Sequence, residues 1–135
     1  MFIKIQTFIK NNRGQTLVEM ALVLPILLLI IFGIIEFGRI FNAHLTLTHA
    51  SREGARAGAV HKSDSEIENI VINASYPLIV NEDNITIDPL QTQGRSTGGS
   101  VSVEIDSSIE IFTPVISNLL ENPYPVSGKT TMRVE

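Results

Sequence analysis

The residues with the most chemical potential are three histidines, one isolated glutamate and a scatter of carboxylates. His44, His49 and His61 are five and twelve residues apart. Helical metal sites and metalloprotease helices use a pair four apart, because only that spacing puts two imidazoles on one face. Cysteine is absent, so no thiolate ligand, thiol nucleophile or disulfide framework is available. The carboxylates form no evident pair for acid–base work. Gly98-Gly99 reads as a turn, not a phosphate cradle, and no nucleophile elbow, phosphate loop or EF-hand loop occurs. Asn84-Ile85-Thr86 fits a glycosylation sequon, a pattern common by chance. This reading gives no catalytic residue, no metal site and no cofactor, hence not an enzyme. The chain is mildly acidic, with a net charge of -4, which argues against nucleic acid as a partner.

The isolated glutamate, Glu19, is different. It stands at the start of a run of hydrocarbon. An acidic residue at the centre of a membrane helix costs about 2.5–3.5 kcal/mol, and less near the interface. Two compensations are open. If the chain is cut between Gly14 and Gln15, a new ammonium on Gln15 lies one helical turn from Glu19, in the same subunit or a neighbour. Otherwise Glu19 snorkels to the headgroups. The macrodipole favours an acid near a helix N-terminus in either case.

The element that positions Glu19 runs from Leu17 to Ile35. Sixteen residues separate Glu19 from Glu36, and none is charged. A membrane span needs about 20 apolar residues at roughly 1.5 Å each. Residues 15–38 meet that need, with the end carboxylates at the headgroups. A core helix of a soluble protein usually carries a polar face, and this run has none. Pro25 removes one backbone bond and predicts a bend. The carbonyl it frees needs a neighbour, which a packed assembly provides.

Residues 1–14, MFIKIQTFIKNNRG, form a basic leader with Lys4, Lys10 and Arg13 and no acid. Phe2, Ile5 and Ile9 recur at helical spacing. The positive-inside rule favours a cytoplasmic N-terminus, against Arg39, Arg52 and Arg56 on the other side. The apolar run exceeds a signal-peptide core of about 7–15 residues, and no small-x-small cleavage site follows it, so the span is expected to stay.

The helix is expected to continue over residues 39–61, which hold no proline. Glu36 and Arg39, and Glu53 and Arg56, are spaced to pair as exposed i,i+3 partners. Phe37, Phe41 and Leu45 form an apolar stripe, read as packing on the chain's own sheet. Ala50, Gly54 and Gly58 form a stripe of small residues that lets another backbone approach. Whether that backbone belongs to the same chain or to a neighbour stays open.

Residues 62–135 read as a small head. Asp64 or Ser65 caps a short amphipathic helix carrying Ile67, Ile70 and Val71, closed by Tyr76-Pro77. Strands are expected at residues 84–89, ending in proline, at 101–105 with extension to 109–111, and at 128–134. Residues 91–100 are a polar loop, 115–120 a short helix, and Pro123 and Pro125 frame a further loop. The fold class is α+β: a long N-terminal transmembrane helix continuing into a head with a three- to four-stranded antiparallel sheet. That sheet needs the exposed half of the long helix to complete its core.

The junction Arg13-Gly14-Gln15-Thr16-Leu17-Val18-Glu19 resembles the class III signal site of prepilins. The resemblance implies cleavage by a prepilin peptidase between Gly14 and Gln15. It also implies that Glu19 guides stacking by pairing with a neighbour's N-terminus. Many type IV pilins begin the mature chain with phenylalanine where this one has Gln15, which bears more on methylation of the new amine than on cleavage.

The longer likeness is to TadE-like proteins, minor pilins or pseudopilins of tight-adherence (Flp, type IVc) pilus systems. It is carried by residues 13–25, by Ile35-Glu36-Phe37-Gly38-Arg39, by residues 50–59 and by the ending Thr131-Met132-Arg133-Val134-Glu135. It implies a single-pass protein of the bacterial inner membrane with its head outside the cytoplasm. Its implied partners are other pilin subunits, a prepilin peptidase and a pilus assembly platform. Alternatives are an anchored extracytoplasmic binding module, which would need neither Gly14 nor Glu19, and a type II secretion pseudopilin.

Overall fold

The computed structural model describes residues 12–135. The leader's Phe2, Ile5 and Ile9, read above as a helical repeat, lie outside the described residues. Helix α1 spans Asn12–Ala59 and is helical straight through Pro25. The chain divides into two compact units between Ile35 and Glu36.

In the first unit α1 is hydrocarbon on every side. Its large apolar residues, from Leu17 to Ile35, are all exposed. This is one helix long and apolar enough to cross a membrane.

The second unit, residues 36–135, is the head. Here α1 acquires a buried face: Glu36, Ala43, Leu47, Ala50, Gly54 and Gly58, with Ile40 half-buried, follow one another at intervals of three and four. Phe37, Phe41 and Leu45 lie one position off this face and are exposed. The expectation that this stripe packs on the sheet is therefore corrected. The face one residue round is lined by smaller side chains, so the sheet comes closer there.

α1 ends in a turn that binds its last carbonyls. His61 N–H donates to Gly58 O and Lys62 N–H to Ala57 O, both at 3.1 Å. His61 takes the left-handed conformation this turn needs, at φ 61. Its ring Nε2 lies 3.0 Å from Glu135 O.

Helix α2 spans Asp64–Ala74. Its N-cap is Ser63, not Asp64 or Ser65 as expected. The Ser63 hydroxyl accepts from Glu66 N–H, and the Glu66 carboxylate accepts from Ser63 N–H, a reciprocal box. Ile67 and Val71 are its buried residues.

Three strands make one antiparallel sheet in the order β1-β2-β3. They are β1 Ile85–Asp88, β2 Ser100–Ile109 and β3 Tyr124–Arg133. The register sets Ile87 opposite Val103, Ile105 opposite Gly128 and Val103 opposite Thr130. Val101, Val103 and Ile105 alternate into the core, where they meet α1 and α2. The opposite face is polar, with Lys129 bonded to Glu104 at 2.7 Å and Thr131 to Ser102 at 3.2 Å. Pro125, expected in a loop, lies inside β3. An edge strand tolerates it because one side of its backbone needs no partner.

Between β2 and β3 lies the short helix α3, Pro114–Ser117, with proline in its first turn. The core gathers apolar residues of α1, α2 and all three strands. α1 and α2 together cover the sheet's inner face.

Candidate functional site

The junction expected from sequence lies within α1. Gly14 has open space where a Cβ would stand. The Gln15 side-chain amide donates to the Glu19 carboxylate at 3.0 Å. Residue 15 and Glu19 therefore stack one turn apart on the same helix face, across which a charge on one acts on the other. Glu19 is exposed, as are the large apolar residues that follow it up to Ile35. Pro25 sits within this stretch.

The small-residue stripe lies elsewhere, in the head. A Cβ on Gly54 would come 2.6 Å from Val71 Cγ2 and 3.2 Å from Val103 Cγ1. One on Gly58 would come 3.0 Å from Val101 Cγ2. Ala50 is fully buried. What these residues admit is thus the valine and isoleucine side chains of the chain's own sheet and α2. A closer approach still occurs at Gly128 of β3, where a Cβ would come 2.5 Å from the carbonyl carbon of Leu47 in α1. Beside it, Ser51 Oγ and Thr130 Oγ1 are 2.8 Å apart.

Two polar nodes escaped the reading of the sequence. The first is Glu36, expected as a carboxylate at the headgroups and as half of an exposed pair. It is 4% exposed. Its Oε1 accepts from Phe112 N–H at 2.9 Å, Thr113 N–H at 3.1 Å and the Thr113 hydroxyl at 3.0 Å. Its Oε2 takes Arg39 Nη1 at 2.8 Å. Arg39 also lies over the Phe112 ring, 4.4 Å from its centre, and donates to Glu110 O at 3.3 Å. So the first residue after the apolar run binds the backbone at the start of α3. The local sequence carried no signal for this, because the donors lie 76 and 77 residues further along the chain and precede α3.

The second node is Arg95, in the loop read only as polar. Its side chain is 2% exposed. It donates to Pro89 O at 3.0 Å and Lys62 O at 2.8 Å, and it pairs with Asp64. Asp64 in turn accepts from Gln91 N–H at 3.0 Å. The guanidinium thereby ties the loop to the turn joining α1 and α2. Nothing in its polar, glycine-flanked neighbourhood announced burial.

The remaining candidates stay apart. His44 and His49 are exposed, and His61 closes the end of α1. Among the described residues no three His, Asp or Glu side chains are grouped to hold a metal. The sequon asparagine, Asn84, accepts from Asn81 N–H at 3.0 Å.

Compared with known proteins, residues 14–56 match the family described as TadE-like protein. No curated protein matches the chain, and no solved structure does. The matched residues run from the Gly14 junction through the exposed apolar run and onto the helix face that completes the head. The family is tied to tight-adherence pilus systems, is structural in character and fits a membrane-anchored component. Over residues 14–56 the chain is thus similar to the TadE-like family, and that stretch holds most of the helix that is long and apolar enough to cross a membrane.

Proposed function

We propose that the chain is a minor pilin or pseudopilin acting structurally in the assembly of a tight-adherence (Flp-type) pilus, and so supporting adhesion and surface colonisation. Residues 15–38 anchor it in the inner membrane, with the N-terminus cytoplasmic and the head extracytoplasmic. A prepilin peptidase cuts between Gly14 and Gln15. Glu19 then pairs with the new ammonium, its own or that of a neighbouring subunit, and sets the register of packing. Lipid gives little drive for apolar helices to associate, so a charge pair inside hydrocarbon has leverage over register.

The observation that carries this reading is the stacking of Gln15 on Glu19 at 3.0 Å, at the head of an uncharged run whose large apolar residues are exposed. The family match over the same residues supports it.

Mass spectrometry of the chain extracted from membranes containing an active prepilin peptidase tests the processing step. We expect a mature chain starting at Gln15, and one still starting at Met1 refutes it. Glu19→Ala is expected to leave insertion intact and impair incorporation into pili. Normal piliation by that variant refutes the register role.

A further inference from the structure

We propose that residues 112–120 are a second membrane contact, a short apolar loop that rests in the bilayer interface beside the end of the span. The segment FTPVISNLL carries no charge and lies between Glu110 and Glu121. Phe112 and Leu119 are 71% and 79% exposed, and Val115 and Leu120 are exposed as well. A loop facing water has no reason to present four large apolar side chains together.

The loop is held at its base rather than left slack. Asn122 closes it, its side-chain oxygen accepting from Ile111 N–H at 3.1 Å and its amide donating to Ile111 O at 3.3 Å. Glu36 holds the other side through Phe112 and Thr113. Glu36 directly follows Ile35, the end of the apolar run. The carboxylate therefore holds the start of the loop to the first residue of the head, which follows the apolar run in the chain. Interfacial segments of this kind sit about 5–10 Å into the boundary between headgroups and acyl chains. An aromatic residue at its edge, with Arg39 against its ring, suits the headgroup level. The occupant of this apolar surface is lipid, because the anchor that fixes the loop is the same residue that ends the span.

The inference rests on the anchored reading above, and the test separates the two. The natural chain has no cysteine, so L119C, V115C, L28C and T131C each give one labelling site on the full-length protein. Each is labelled with an environment-sensitive fluorophore and reconstituted in vesicles of phosphatidylethanolamine and phosphatidylglycerol. Lipids carrying a nitroxide near the headgroup should quench the labels at 115 and 119 several-fold more than the one at 131, whatever the protein-to-lipid ratio. Aqueous iodide should do the reverse. Labels at 115 and 119 that respond only to iodide, while the label at 28 is quenched from the lipid, overturn the inference and leave the anchor standing. A label at 28 that no lipid reaches removes the anchor and the inference with it. Protection at 119 that grows with protein density assigns the loop to a second copy of the chain, and also overturns the lipid contact.

Discussion

Replacing Glu36 with alanine should loosen the head far more than a surface glutamate would. Oε1 serves three donors and Oε2 serves Arg39. A hydrogen bond to a charged group contributes about 1.5–3 kcal/mol. Three that share one oxygen do not add in full. The Arg39 pair adds under about 1 kcal/mol, because the arginine is partly open to water. Breaking a buried charged arrangement costs about 3–5 kcal/mol, and for Glu36→Ala we take about 3–4. Glu36→Gln keeps an acceptor for the three donors but turns an amide donor toward Arg39, so about 1–2 kcal/mol is lost. In a domain of about 100 residues each kcal/mol shifts the melting temperature by roughly 4–8 °C. The alanine variant should then melt at least about 12 °C below the parent, with glutamine between. The assay is near-ultraviolet dichroism of the full chain in detergent, where tyrosine reports because tryptophan is absent and Tyr124 packs against the core. Hydrogen exchange at the Phe112 and Thr113 amides localises the loss. If alanine and glutamine both melt within about 2 °C of the parent, and those amides stay protected, the role assigned to Glu36 is wrong.

The glycines of the helix–sheet contact should rank by what a methyl group meets. Gly128→Ala drives a Cβ into α1 backbone and should cost about 3 kcal/mol. Gly54→Ala meets side-chain methyls of Val71 and Val103 rather than backbone and regains about 1 kcal/mol of helix propensity, so it should melt between Gly128→Ala and the parent. Gly58→Ala should be near neutral by the same melting assay. Arg95→Ala leaves the Pro89 and Lys62 carbonyls and Asp64 without their donor, and should cost about 3–5 kcal/mol. Arg95→Lys should rescue only part of this, since an ammonium lacks the planar fork that reaches all three. The Ser63 N–H, with the Ser63 hydroxyl and Lys62 behind it, holds the Glu66 carboxyl below its ordinary range. A lowered pKa in the folded state stabilises above the unfolded value and is lost as pH falls through the folded one. The stability gap between the parent and Glu66→Gln should therefore close below about pH 4.

Much of this architecture was legible in the sequence because it rests on periodicity. An uncharged run gave the span, and alternation gave β1 and the first half of β2. What escaped depended on contacts between distant residues. Helical spacing fits both the Phe37–Phe41–Leu45 face and the Ala43–Leu47–Ala50 face. Only the sheet decides between them, and it selects the one that lets backbones meet at Gly128. Pro125 reads as a loop residue until it is known to lie in an edge strand. Glu36 and Arg95 look like surface charges because sequence shows neither of the partners that bury them. At the junction, the spacing of Gly14, Gln15 and Glu19 was plain from the start, since the three are neighbours in the chain.

The meeting of Leu47 with Gly128 also bears on when the head can mature. Leu47 lies in α1 and Gly128 in β3, the earliest and the latest in chain order of the described elements. Until β3 emerges, the Ala43–Gly58 face lacks the strand that meets it at Leu47, and β2 lacks one neighbour. Contacts of such long separation form slowly, because the chain between them must first be ordered. The apolar stretch ahead of them needs no such wait, since a helix satisfies its own backbone. Synthesis therefore delivers an anchor competent for insertion well before it delivers a finished head. For that interval a sticky helix face next to the anchor stands open to whatever chaperone or neighbour reaches it first.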